Sequence, residues 1–142
     1  LPQAEYRDPA LAPAARPGLI PRELVTYAER TLRRIAWSRR DIERFLGEYL
    51  SEPKPHVVFK PGTGRRALGR SRVRLQAKTR LLYRGSVFFV NGDSFRPRQR
   101  AAALLRELAD RRSIEGARLA RARLGGLISA WHRLGYVLLE RI

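Results

Sequence analysis

Two amphipathic stripes, cut off by a pair of prolines, restrict what the first third of this chain can become. Ile42, Phe45, Leu46, Tyr49 and Leu50 stand at i, i+3, i+4, i+7 and i+8, which is one face of an α-helix. Ser38 and Asp41 supply a capping-box-like start, with Asp where Glu or Gln is usual. Pro53 ends the pattern, because its missing N–H cannot continue the helical ladder. Upstream, Leu24, Val25, Ala28, Leu32 and Ile35 recur at the same spacing, and Pro21 suits a first helical turn, so a helix is expected over 21–36. A hairpin of two such helices cannot bury both stripes by itself. The expectation is a symmetric dimer joined through Leu24, Ala28, Leu32, Ile35, Ile42, Phe45, Leu46 and Tyr49. Completion of a single globular core by the same stripes is the alternative.

Residues 1–20 hold four prolines and no sustained period, so they read as an extended connector. After Pro53, Pro55 biases Lys54 towards extended geometry, and Val57-Val58-Phe59 is expected as a short strand or a buried anchor. The Gly- and Arg-rich stretch 60–78 reads as a mobile loop with at most one short helix. Strand signals at 79–84 and 87–90 flank Gly85-Ser86, a pair suited to a type II′ turn, and Asn91-Gly92-Asp93 makes the next turn. Helices are expected over 97–110 and 116–134, with Leu124, Leu127, Ile128, Trp131 and Leu134 on one face of the second. Gly135 then serves as its C′ residue, and 136–139 closes a sheet. The fold class this predicts is α+β: a helical-hairpin dimerisation unit (21–52) and a winged-helix-like domain with a small antiparallel sheet (53–142). In that reading the 79–90 hairpin is the wing, and the last two helices cross as a helix-turn-helix.

Charge is distributed unevenly. Of the net +17, residues 1–52 contribute almost nothing, whereas 53–142 hold 21 Lys/Arg against five Asp/Glu. Within 53–92 there are ten bases and no acid. Such a field attracts polyanions, nucleic acid first and an anionic membrane surface second. Arginine outnumbers lysine 27 to 3, a bias that a GC-rich genome also produces, so composition alone leaves both origins open. The candidate polyanion contacts are Arg65, Arg66, Arg70, Arg72 and Arg74 in the loop and Arg118 and Arg121 one helical turn apart; such contacts give affinity but little sequence information. No Asn or Gln stands on that helix to read adenine. Gly125-Gly126 suggests close packing or a bend.

Several chemistries are excluded. With no cysteine there is no disulfide, thiolate ligand or cysteine nucleophile, as expected for a cytosolic protein. No apolar run reaches the roughly 18 residues of a membrane span. The two histidines, His56 and His132, are not followed by a paired acid, so a 2-His-1-carboxylate iron site is not expected here. His132 is read as a helix-end residue and His56 as capping or packing the elbow. Glycines 62, 64 and 69 lack the spacing of a phosphate loop. No catalytic, cofactor-binding or metal residue is therefore assigned. Methionine is absent even at position 1, so the chain is expected to be part of a longer polypeptide.

Four segments, YRDPALAPAARPGLIP, FLGEYLSEPKPHVVFKP, TRLLYRGSVFFVNGDSF and LISAWHRLGYVLL, resemble the C-terminal half of bacterial cupin/JmjC-type ribosomal oxygenases. The type resembled is the arginine hydroxylase acting on large-subunit ribosomal protein sixteen. The resemblance implies a parent enzyme whose N-terminal cupin domain binds Fe(II) through an H-x-D…H triad and uses 2-oxoglutarate and O₂. It also implies a homodimer through 21–52, a ribosomal substrate with RNA close by, no membrane, and a cytoplasmic setting. None of the triad positions exists in this sequence, and the chain departs from the family at 60–74, where a fuller amphipathic helix is usual. A stand-alone winged-helix nucleic-acid-binding protein is the alternative.

Overall fold

The computed structural model describes residues 18–64 and 66–142, so the expected connector lies almost wholly outside the described residues. The chain divides into two compact units, 1–38 and 39–142. The described part of the first is helix α1 (Arg22–Arg33), which starts from Pro21 in extended geometry and buries none of its residues. Leu24, Ala28 and Leu32 lie on it as expected, whereas Ile35 falls beyond its end.

The second unit begins with α2 (Arg39–Ser51). Next comes a single 3₁₀ turn (Leu68–Arg70), followed by β1 (Ser71–Leu75), β2 (Leu81–Arg84), β3 (Val87–Val90) and β4 (Asp93–Phe95). The C-terminal half is α3 (Gln99–Arg111), β5 (Ser113–Glu115), α4 (Gly116–Arg121), α5 (Gly125–Arg133) and β6 (Val137–Arg141). Two antiparallel sheets form, in the orders β5-β1-β6 and β2-β3-β4.

Strand β1 corrects the expected loop. Ser71, Val73 and Leu75 face the core while Arg72 and Arg74 face out, a period of two that only a strand satisfies. It is the central strand of its sheet, pairing Val73 with both Ile114 and Leu139. The 79–90 hairpin is correct as a hairpin, with Gly85 at φ 57 and Ser86 at negative φ, as a II′ turn requires. It is not the wing of the sheet that seats the helices, however: β2, β3 and β4 form a separate meander. Val57-Val58-Phe59 is not a strand either. Val58 is exposed, and Phe59 acts as the anchor, edge-on to Tyr136 at 5.0 Å between ring centroids.

The expected helix 116–134 is two helices. Leu124 N–H bonds to Leu119 O and Arg123 N–H to Ala120 O, the hydrogen-bond pair of a Schellman stop, with Arg123 at φ 59 in the left-handed position. The bend precedes Gly125-Gly126, which open α5 rather than interrupting a helix. The same stop recurs where expected: Gly135, at φ 78, ends α5 with Tyr136 N–H on Trp131 O. With the break in place, Leu124, Ile128 and Trp131 are buried and Leu127 half-buried, but Leu134 points to solvent. The second helix of the expected crossing pair is thus divided: α4 packs against α3, and the chain turns at the stop into α5. One core joins Val73, Leu105, Leu119, Ile128 and Trp131 to Phe88 and Val90 of the meander. Each fully buried aliphatic side chain there contributes roughly 1.5–3 kcal/mol.

Candidate interaction surfaces

Helix α2 lies on the meander by its small residues. A methyl group on Gly47 would stand 2.3 Å from the ring of Phe89, so only glycine lets the helix approach that closely. One turn on, the buried Ser51 hydroxyl accepts Gly92 N–H at 3.0 Å. Ser94 donates to Glu48 at 2.7 Å, Arg84 pairs with Glu43 at 3.2 Å, and Arg80 donates to the Leu50 carbonyl at 2.9 Å. The guanidinium and hydroxyl partners hold the Glu48 carboxyl below its ordinary range; Glu43 is lowered in the same direction, chiefly by Arg84. The sequence-based boundary at residue 52 therefore runs through a compact unit, with α2 bonded to the strands C-terminal to it.

Seating α2 by Gly47 and Ser51 leaves its apolar stripe largely exposed. Phe45 is 56% exposed and Tyr49 64%, with the two rings stacked on each other, and Ile42, Leu46 and Leu50 are about half exposed. Ile42, Leu46 and Leu50 also line a mostly apolar cleft of about 830 Å³ that continues over Leu82 and Tyr83.

The arginines expected to contact polyanions are dispersed. Arg65 lies outside the described residues. Arg66 donates to Leu139 O at 3.2 Å, and Arg70 ends the 3₁₀ turn. Arg72 sits between Glu115 and Glu140 on the neighbouring strands, and Arg74 pairs with Glu140 at 3.0 Å. Arg118 is taken up by Glu107, both guanidinium nitrogens reaching both carboxylate oxygens at 2.7 Å. That bond holds the Glu107 carboxyl below its ordinary range. Among the described candidates, Arg121 alone lines a cationic cleft. There it meets three arginines that the sequence reading did not single out, Arg98, Arg100 and Arg123, around a space of about 810 Å³. The available signal was the pair of short runs RPRQR and RAR at the start of α3 and the end of α4.

Among the described residues no three His, Asp or Glu side chains come together as a metal site, so Fe(II) has no donor set in them. The His132 ring lies against Gly62, whose added Cβ would be 2.3 Å from Nε2, and His56 is exposed in a turn rather than packed. No helix among the described residues is long and apolar enough to cross a membrane.

A family model described as ROXA-like winged helix matches residues 34–137. No curated protein matches the chain. Among solved structures it is similar to YcfD, a ribosomal oxygenase from Escherichia coli, with TM-score 0.63 and 19% identity over 99% of this chain and 42% of that one. The same E. coli protein in complex with cobalt and 2-oxoglutarate gives TM-score 0.62 at 19% identity, over 95% and 40% of the two chains. In complex with cobalt and succinic acid it gives 0.61 at 19%, over 95% and 40%. At this identity the likeness is one of fold, and the chain spans about two fifths of the length of the proteins it resembles. With two thirds and more of its residues inside the family match, the chain belongs to the ROXA-like winged-helix family.

Proposed function

We propose that this chain is the assembly and placement region of a ribosomal oxygenase, pairing two copies of a parent enzyme whose chemistry takes place in a separate cupin domain. The parent would be an Fe(II)- and 2-oxoglutarate-dependent hydroxylase of a ribosomal protein arginine, working in the cytoplasm. The E. coli relative's complex with cobalt and 2-oxoglutarate supports a parent that binds a metal ion together with 2-oxoglutarate. The observation that supports pairing most directly is the orientation of α2. Its Gly47–Ser51 face is occupied by the meander, and the apolar Phe45 and Tyr49 on another face are each more than half exposed. A continuous apolar patch of this kind marks an association surface, and a helix face that meets its own copy about a two-fold axis is the simplest closed solution.

Light scattering tests this. The parent chain is expected to be a dimer and the Phe45→Glu variant a monomer; an unchanged mass for the variant would remove the stripe from the interface. The enzymatic half of the reading is tested separately by the coding sequence upstream of residue 1, where an H-x-D…H triad is expected. A sequence-reading regulator is poorly supported, because the exposed positions of α5, Gly126, Ser129 and Arg133, include only one long polar side chain.

A further inference from the structure

We propose that the cleft between the start of α3 and the α4–α5 turn docks single-stranded RNA, held through its phosphates by Arg98, Arg100, Arg121 and Arg123 without reading its sequence. Four arginines line this one cleft, and no acidic residue does. Among the described residues, six other arginines on helices and strands, Arg39, Arg44, Arg74, Arg84, Arg111 and Arg118, each meet a glutamate. Among the described residues, none of the four cleft side chains has an ion pair or hydrogen bond. Unpaired like charges gathered in one hollow repel each other in the free protein, and a phosphodiester chain relieves that repulsion.

Arg123 adds a second, independent reason. It occupies the left-handed C′ position of a helix stop, where glycine is the favoured residue and a side chain is disfavoured. Its side chain is exposed, so packing does not account for an arginine there. Backbone strain held at an exposed basic residue points to a use for the charge. The hollow also has an apolar floor, Phe95 and Leu127, against which unstacked bases can lie. A duplex keeps its bases stacked inside and cannot use that floor, which selects a single strand. The choice of RNA over DNA rests on the ribosomal reading above; the charge argument does not.

The test is fluorescence anisotropy of the 142-residue chain with a labelled single-stranded RNA of about 12 nucleotides, across a salt series. Replacing all four arginines by alanine is expected to weaken binding at least about tenfold at low salt and to flatten the salt slope by about 3. Arg123→Gly should melt no lower than the parent and still bind RNA more weakly, a combination that damage to the fold cannot produce. The same number of charges removed elsewhere, at Arg70, Lys78, Arg133 and Arg141, should leave most of the affinity. Equal loss in that control, or full binding by Arg123→Gly and the fourfold variant, overturns the proposal. So does tighter binding of an RNA duplex, of single-stranded DNA or of oligoglutamate. Failure of the dimer reading would appear in light scattering and leave these titrations unaffected.

Discussion

Arg118 on α4 grips Glu107 on α3 through two parallel hydrogen bonds of 2.7 Å, a fork that ties these two helices together. A basic residue on a helix that could enter a groove would ordinarily be assigned to phosphate contact. Here its donors are already directed at a carboxylate. Arg118→Ala is expected to lower Tm and leave RNA affinity nearly unchanged, whereas Arg121→Ala should do the reverse. Thermal melts paired with anisotropy titrations separate the two.

The same pair gives stability a defined pH dependence. Glu43, Glu48 and Glu107 all titrate below the usual 4.5 in the folded state, each chiefly because an arginine bonds to the carboxylate. A depressed folded-state value means that each contributes stability at neutral pH which fades as pH falls through 4.5 towards that value. Circular-dichroism melts from about pH 7 to about pH 3 should show Tm falling modestly below about pH 5, since these ion pairs are largely exposed. Arg118→Gln should flatten part of that fall; an identical profile for the variant would remove Glu107 from the set.

At Gly47 two effects oppose each other. Alanine there gains about 1 kcal/mol of helix propensity. It also drives a methyl group into the buried Phe89 ring, and overpacking of that kind costs about 1–3 kcal/mol. Because the ring is held on its other side by the sheet, the clash is expected to win. Urea unfolding should show Gly47→Ala less stable than the parent, and Phe89→Leu should restore part of the loss.

Ser51 and Tyr49 separate the two faces of α2. Ser51→Ala leaves the Gly92 N–H without its acceptor, at a cost of about 1–3 kcal/mol, read as a lower urea midpoint at unchanged oligomeric state. Tyr49→Glu, which touches none of these bonds, should change the mass in light scattering and not the midpoint of the dissociated chain. Matching effects in the two variants would mean that α2 has one working face rather than two.

The sequence by itself determined where helices and turns begin and end wherever the signal is local. Pro21, Pro53, Gly85-Ser86 and Gly135 act through their own backbone limits, and the structure has a boundary at or next to each of them. It failed where the signal was disguised or came from a distance. The inward residues of β1 alternate with arginines, and in a basic stretch that alternation looks like a loop. The stop after α4 uses Arg123 in place of glycine, so no local residue announced it. Which arginines are free and which are paired depends on the glutamates that packing brings beside them, as Glu107 is brought to Arg118 across eleven residues. The outward turn of α2's stripe was likewise settled by tertiary contact: of two faces with the same period, the one bearing Gly47 and Ser51 fits closest to Phe89, and the apolar one is left facing outward.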